Sequence, residues 1–147
     1  MIEYVQGDIL DAQTEAIVNP VNCVGVSGAG LALQFRDRFP TAQRLYREAC
    51  EKGVMELGRM FVVETNGQFP YVIYFPTKKH WKDKSKLDDI IAGLEDLARV
   101  IEAYNVRSIS LPALGCGLGG LLWEDVKVEI ENVLGGLITD IKVYEPQ

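Results

Sequence analysis

The chain has 147 residues, 48% hydrophobic and 24% charged, which suits one compact unit with its own core. A formal net charge of -6 excludes a general nucleic-acid coat protein. No apolar run is long enough to span a bilayer, and the opening Met1-Ile2-Glu3-Tyr4-Val5 is no secretion leader, so a cytoplasmic location without a membrane partner is expected. Cys23, Cys50 and Cys116 are odd in number and widely spaced, and His80 is the single histidine. That pattern favours neither a disulfide framework nor a metal site, and no cofactor is expected.

In chain order, residues 2–6 alternate like a strand, and Ala16-Ile17-Val18-Asn19 reads as a second. Gly28-Ala29-Gly30 opens a helix over residues 31–39, stopped by Pro40. Thr41 is the expected N-cap of the next helix, whose Ala42, Leu45, Tyr46, Ala49 and Cys50 recur at helical spacing until Gly53. Residues 60–65 and 71–75 form a hairpin around Asn66-Gly67, with Pro76 expected to close the second strand. Ser85 and Asp88 stand three apart, like a capping box, before a helix running to about Tyr104. A buried strand over 108–111, a glycine loop over 115–120, a helix through Val126, Ile130 and Leu134, and a strand over 141–144 complete the chain.

The order β-β-α-α-β-β-α-β-α-β implies an α/β fold of three layers, α/β/α. Its central sheet is mixed and mainly parallel, with the hairpin as an antiparallel edge. Ligands in such folds sit beyond the carboxyl ends of the strands, where strand order reverses.

Two glycine-rich segments, Gly25-Val26-Ser27-Gly28-Ala29-Gly30 and Gly115-Cys116-Gly117-Leu118-Gly119-Gly120, each lie between a strand and a helix. Glycine lets backbone N–H groups approach an anion closely, and a helix N-terminus adds unpaired donors. One such loop is an ordinary turn; two fit a ligand with adjacent phosphates. Neither has the Lys-Ser/Thr of a Walker loop, neither has the spacing of a Rossmann fingerprint, and Ser27 is followed by Gly28-Ala29 where a hydrolase elbow needs another glycine. Asp8, after the first strand, either accepts from an adenine amino group or caps a turn. Asn22 either meets ribose hydroxyls or pins its loop. From Lys78 to Lys86 five lysines stand against one acid. This run is a solvated loop, or His80, Trp81, Lys82 and Lys84 grip nucleic acid, with Trp81 either stacking on a base or packing under the following helix.

Taken in order, Gly7-Asp8-Ile9, Ile17-Val18-Asn19-Pro20-Val21-Asn22, Gly28-Ala29-Gly30-Leu31-Ala32 and Pro112-Ala113-Leu114-Gly115-Cys116-Gly117-Leu118-Gly119-Gly120 resemble the macrodomain family over essentially the whole chain. The resemblance implies one macrodomain over residues 1–147. It implies ADP-ribose with its adenine at Asp8, Ile9 and Tyr144, and its distal ribose near Asn22. The diphosphate would lie between Ser27, Gly28, Ala29, Gly30 and Leu31 on one side and Gly115, Cys116, Gly117, Leu118 and Gly119 on the other.

Tyr74-Phe75-Pro76-Thr77-Lys78-Lys79, followed by a basic loop, is similar to the branch that holds terminal ADP-ribose glycohydrolases and antitoxin macrodomains that strip ADP-ribose from thymidine in DNA. That likeness implies a catalytic Lys78. The branch's protein-directed member carries an aspartate where this chain has Gly119, which favours the DNA-directed kind. The implied partners are ADP-ribose, ADP-ribosylated single-stranded DNA and a cognate DNA ADP-ribosyltransferase toxin. The chain would then be the catalytic portion of a longer antitoxin. A protein-directed hydrolase, an O-acetyl-ADP-ribose deacetylase and a non-catalytic ADP-ribose reader are the rival readings. Asn22 with an ordered water is the alternative catalytic group to Lys78.

Overall fold

The computed structural model describes residues 1–146. The strands are β1 (Ile2–Val5), β2 (Ala16–Asn22), β3 (Phe61–Glu64), β4 (Tyr71–Lys78), β5 (Ser108–Pro112) and β6 (Asp140–Tyr144). The helices are α1 (Gly30–Arg38), α2 (Pro40–Glu51), α3 (Leu87–Ala103) and α4 (Trp123–Leu134). The strands form one sheet in the order β1-β6-β5-β2-β4-β3, parallel throughout except for the β3–β4 edge pair. The expected element order and the mixed, mainly parallel three-layer architecture are those observed.

Side-chain alternation along the strands makes two cores. Ala16, Val18, Ile73 and Phe75 join Ile90, Leu94 and Leu97 of α3 and Val126 and Ile130 of α4 on one face. Ile17, Val21, Val72 and Tyr74 join Phe35 of α1 and Ala42, Tyr46 and Ala49 of α2 on the other. Because β2 and β4 are covered on both sides, they read as continuous apolar runs. Among the described residues, no helix is long and apolar enough to cross a membrane.

Three local expectations are corrected. The second helix starts one residue before Thr41: Phe39 is its N-cap and Pro40 its first residue, where a missing N–H costs nothing. Ser85 and Asp88 form no capping box, since the N-cap of α3 is Lys86, without a side-chain bond. The third concerns the prolines. Pro76 does not close β4, which runs on to Lys78, and β2 runs through Pro20 to Asn22. Proline fits a strand where one flank has no partner. β5 pairs with β2 only at Ala16 and Ile17, and β3 pairs with β4 no further than Tyr74, so both prolines lie beyond these points.

Helix α3 lies close on β4 because Gly93 has no side chain: a Cβ there would run into the Phe75 ring, 2.5 Å from Cε1. Phe75 is fully buried and has nowhere to turn. Gly93→Ala is therefore expected to destabilise the protein by about 1–3 kcal/mol in urea unfolding, through overpacking that exceeds alanine's gain in helix propensity. An unchanged or raised midpoint would show that the contact can relax.

Candidate functional site

Strands β2 and β5 pair for two residues and then part. The chain leaving β2 crosses through α1 and α2 to β3 at one edge of the sheet, and that leaving β5 crosses through α4 to β6 on the other side, so strand order reverses between them. Here a crevice of about 920 Å³ opens beyond the strand ends. Each loop leaving those ends is one of the glycine-rich segments.

The first loop delivers the N-terminus of α1. Its N-cap, Ala29, supplies no side-chain acceptor. Among the described residues, no acceptor takes the backbone N–H of Gly28, Ala29, Gly30, Leu31 or Ala32, and all five residues line the crevice. In the second loop the N–H groups of Gly117, Leu118 and Gly119 are equally unclaimed and also line it. Two sets of oriented donors thus face one space, an arrangement built for an anion.

The second loop is held in shape by Leu121 N–H donating to Gly115 O at 2.9 Å and Ser85 N–H donating to Gly119 O at 3.0 Å. Gly115 (φ 72°) and Gly120 (φ 82°) make the turns that L side chains resist. A side chain at Gly119 would not reach the ligand space: its Cβ would collide with Ser85 Oγ and stand 2.5 Å from Gly115 O. Gly117 has open space around its Cβ position. Cys116 lines the crevice, but burial pushes its thiol up to about 11, so at neutral pH it is a thiol and not a nucleophilic thiolate.

Along the strand ends, the other residues follow in spatial order. Asp8, Ile9 and Tyr144 line the wall at β1 and β6. Burial raises the Tyr144 phenol above its ordinary range, and the carboxylates of Asp11 and Asp8 add to the effect. Asp8 does cap a turn, its Oδ1 accepting from Leu10 N–H at 3.0 Å, while lining the crevice as well.

Asn22 also does what its blander reading anticipates. Its Oδ1 accepts from the N–H groups of Val24 (3.1 Å), Gly25 (3.0 Å) and Val26 (3.3 Å), and its Nδ2 donates to Val26 O at 2.8 Å. The carboxamide is committed to the loop, with one Nδ2 proton left for anything else.

At β4 the register slips. Val21 stands opposite Pro76 and Asn22 opposite Lys78, which leaves one extra β4 residue between them. Thr77 Oγ1 donates to Val21 O at 3.3 Å across this bulge. Bulges re-aim side chains. Here Thr77 and Lys78 both line the crevice and Lys79 does not, its carbonyl instead accepting from Cys23 N–H at 2.9 Å.

The basic loop divides. Trp81 is 49% exposed and lines the crevice, so it does not pack under α3. The Lys82 ammonium lies 5.2 Å from the Trp81 ring centroid, and the His80 ring 5.3 Å from it. His80, Lys82 and Lys84 stay outside the crevice: His80 Nδ1 accepts from Lys82 N–H at 3.1 Å, and the Lys84 chain lies beside Gly120. Ser27 is likewise turned away from the crevice, its Oγ accepting from Gln43 Nε2 at 2.9 Å. Sequence reading missed Thr77, Val26 and Gln34 as lining residues. Thr77 was masked by the expectation that Pro76 ended the strand, and Gln34 by its place in a helix.

The Macro domain family model matches residues 18–130. The DNA ADP-ribosyl glycohydrolase of Mycobacterium tuberculosis is 50% identical over 99% of this chain, which spans only 42% of that relative's length. Among solved structures, the macrodomain of Mycobacterium tuberculosis DarG superposes with a TM-score of 0.97 at 49% identity, covering 100% of this chain and 99% of that one. Thermosipho africanus DarTG in complex with ADP-ribose gives 0.94 at 30% identity, over 99% of this chain and 41% of that one.

The two glycines make opposite predictions for stability. Gly119→Ala is expected to cost about 1–3 kcal/mol, because Ser85 and Gly115 must both give way. Gly117→Ala should stay within about 0.5 kcal/mol of the parent. Thermal denaturation of both variants checks this, and equal midpoints would mean the second loop is not packed as described.

Proposed function

The chain belongs to the macrodomain family, and from that premise we propose that it is an ADP-ribosyl glycohydrolase that removes ADP-ribose from thymidine in single-stranded DNA. The observation that carries the reading is the order of groups along the strand ends. A carboxylate and a tyrosine stand at β1 and β6, two donor loops at β5 and β2, and a lysine at β4. At the usual strand spacing, β1 to β4 covers roughly 19 Å, room for an extended nucleotide sugar. In this reading Asp8 and the backbone at Ile9 meet the adenine, beside Tyr144. The two sets of N–H groups hold the diphosphate. The distal ribose lies between Asn22 and Lys78, with the leaving base beyond. The distal donors bind the same groups before and after bond cleavage, so they set affinity, and the barrier falls to the groups at the anomeric carbon.

Lys78 is the group proposed to act there. As an ammonium it can give a proton to the departing base while water attacks the anomeric carbon. As an amine it can attack that carbon itself, displacing the base, which takes the proton the amine sheds, and water then hydrolyses the lysine–sugar bond. A covalent protein–sugar adduct in the mass spectrum of a quenched reaction separates the two. DNA is favoured over protein as the substrate by Trp81, a half-exposed aromatic face at the Lys78 end of the crevice with a lysine beside it. The 50% identity to a relative named DNA ADP-ribosyl glycohydrolase points the same way. By the same analogy, these residues are the catalytic unit of a longer cytoplasmic antitoxin paired with a DNA ADP-ribosyltransferase toxin.

The test is single-turnover release of ADP-ribose from a modified oligonucleotide and from a modified protein. Release from the oligonucleotide is expected, and release from neither would leave a reader. Lys78→Ala should lose about 10²–10⁴-fold in rate yet still bind ADP-ribose, with Lys79→Ala within a few-fold of the parent. A near-normal rate for Lys78→Ala would remove the lysine from the mechanism.

Substrate preference has its own test at Trp81 and Lys82. Trp81→Ala is expected to weaken the modified oligonucleotide by about 1–3 kcal/mol of lost stacking while leaving affinity for free ADP-ribose unchanged. Lys82→Ala should flatten the salt dependence of oligonucleotide binding, since each phosphate contact releases counterions. Equal losses for both ligands would mean that the loop shapes the pocket without selecting DNA.

A further inference from the structure

The first donor loop touches the crevice on one side only; its other side rests on α2. Gln43, Tyr46, Arg47 and Cys50 are spaced i, i+3, i+4 and i+7, one stripe of that helix. All four meet the loop or its base. Tyr46 OH donates to Asn22 O at 2.7 Å and approaches Asn22 Oδ1 at 3.2 Å. Gln43 Nε2 donates to Ser27 Oγ at 2.9 Å. Gly25 lies against the same stripe: a Cβ there would make ordinary contact with Cys50 Cβ at 3.6 Å and Arg47 Cγ at 3.7 Å. Tyr46 itself is fully buried and stacked on Tyr74 with centroids 4.9 Å apart and planes 10° from parallel. Burial also drives its phenol well above the ordinary range, so the hydroxyl remains a proton donor.

From this geometry we infer that Tyr46 is a positioning residue for ligand binding: through Asn22 it fixes the first donor loop, with Gln43 as the second anchor. The chain of contacts is short and directional. Tyr46 orients the Asn22 carboxamide, Asn22 Oδ1 gathers three successive N–H groups, and those N–H groups set the path by which Gly28 to Ala32 reach the crevice. The same hydroxyl holds the Asn22 carbonyl at the position paired with Lys78. Neither Tyr46 nor Gln43 lines the crevice. The inference rests on the ADP-ribose reading for its ligand, but the loop contacts do not depend on it.

Tyr46→Phe keeps the stacked ring and removes only the hydroxyl. Calorimetry with ADP-ribose is expected to show a dissociation constant raised about 3- to 10-fold, the scale of one lost hydrogen bond. Amide hydrogen exchange, which needs no ligand, should quicken at Val24, Gly25 and Val26 while the strand amides of β2 and β5 stay protected. A merely structural hydroxyl would lower the melting temperature and quicken exchange throughout, without a local pattern. Gln43→Leu should also weaken ADP-ribose, and it carries the test if Tyr46→Phe does not fold. Arg44→Ala, on the solvent side of α2, should bind like the parent. Unchanged affinity in folded Tyr46→Phe or Gln43→Leu, or exchange that rises uniformly in Tyr46→Phe, overturns the inference. Parent protein that binds no ADP-ribose overturns instead the functional reading beneath it, with the exchange pattern still deciding whether Tyr46 holds the loop.

Discussion

The parting of β2 and β5 is the constraint from which the rest follows. Two neighbouring strands that share only the Ala16–Ile109 and Ile17–Ser110 pairs leave the remainder of their length without a common ladder. Backbone groups denied a partner need water, a side chain or a ligand. Pro20 and the carboxamide of Asn22 meet part of that need, the one by lacking a donor and the other by accepting from three. Among the described residues, the N–H groups at the N-terminus of α1 and in the middle of the second glycine loop are left unclaimed where the crevice opens. The site is therefore made of the fold's own unpaired amides.

This arrangement reconciles an acidic chain with an anionic ligand. A net charge of -6 spread over the surface is screened beyond about 8 Å at physiological salt. Backbone N–H groups aimed at a phosphate act at hydrogen-bonding distance and need not reorganise. The cost lies in holding them aimed, and each loop is braced from behind: the first by Asn22, Tyr46 and Gln43, the second by Ser85 and by the contact of Leu121 with Gly115. Ser85 N–H, donating to Gly119 O, ties the second loop to the segment that carries Lys78 and Trp81.

Much of this was legible in the chain itself. Apolar runs with hairpin and glycine punctuation determined the ten elements and their order, because burial on two faces or one leaves a period that a local pattern preserves. The two glycine segments were legible as loops that bring backbone donors to the strand ends for the same reason: glycine marks backbone geometry. The family resemblance supplied Lys78, Asp8 and Tyr144, which composition and spacing alone left as ordinary residues.

Tertiary structure decided what depends on neighbours remote in sequence. Whether Pro76 ends β4 is set by where β3 and β5 stop pairing, and the bulge that puts Lys78 rather than Lys79 in the crevice is a register relation between two strands. Ser27 looked like a ligand contact until Gln43, sixteen residues on, was seen to hold it. Gly119 lines the crevice with its backbone, and only the packing of Ser85 shows that a side chain there would point elsewhere. Tyr46 had the spacing of any core residue, and only the packing of α2 against the first loop shows its hydroxyl on Asn22. A sequence records the local preferences of a backbone; the direction in which a side chain is aimed is a property of everything packed around it.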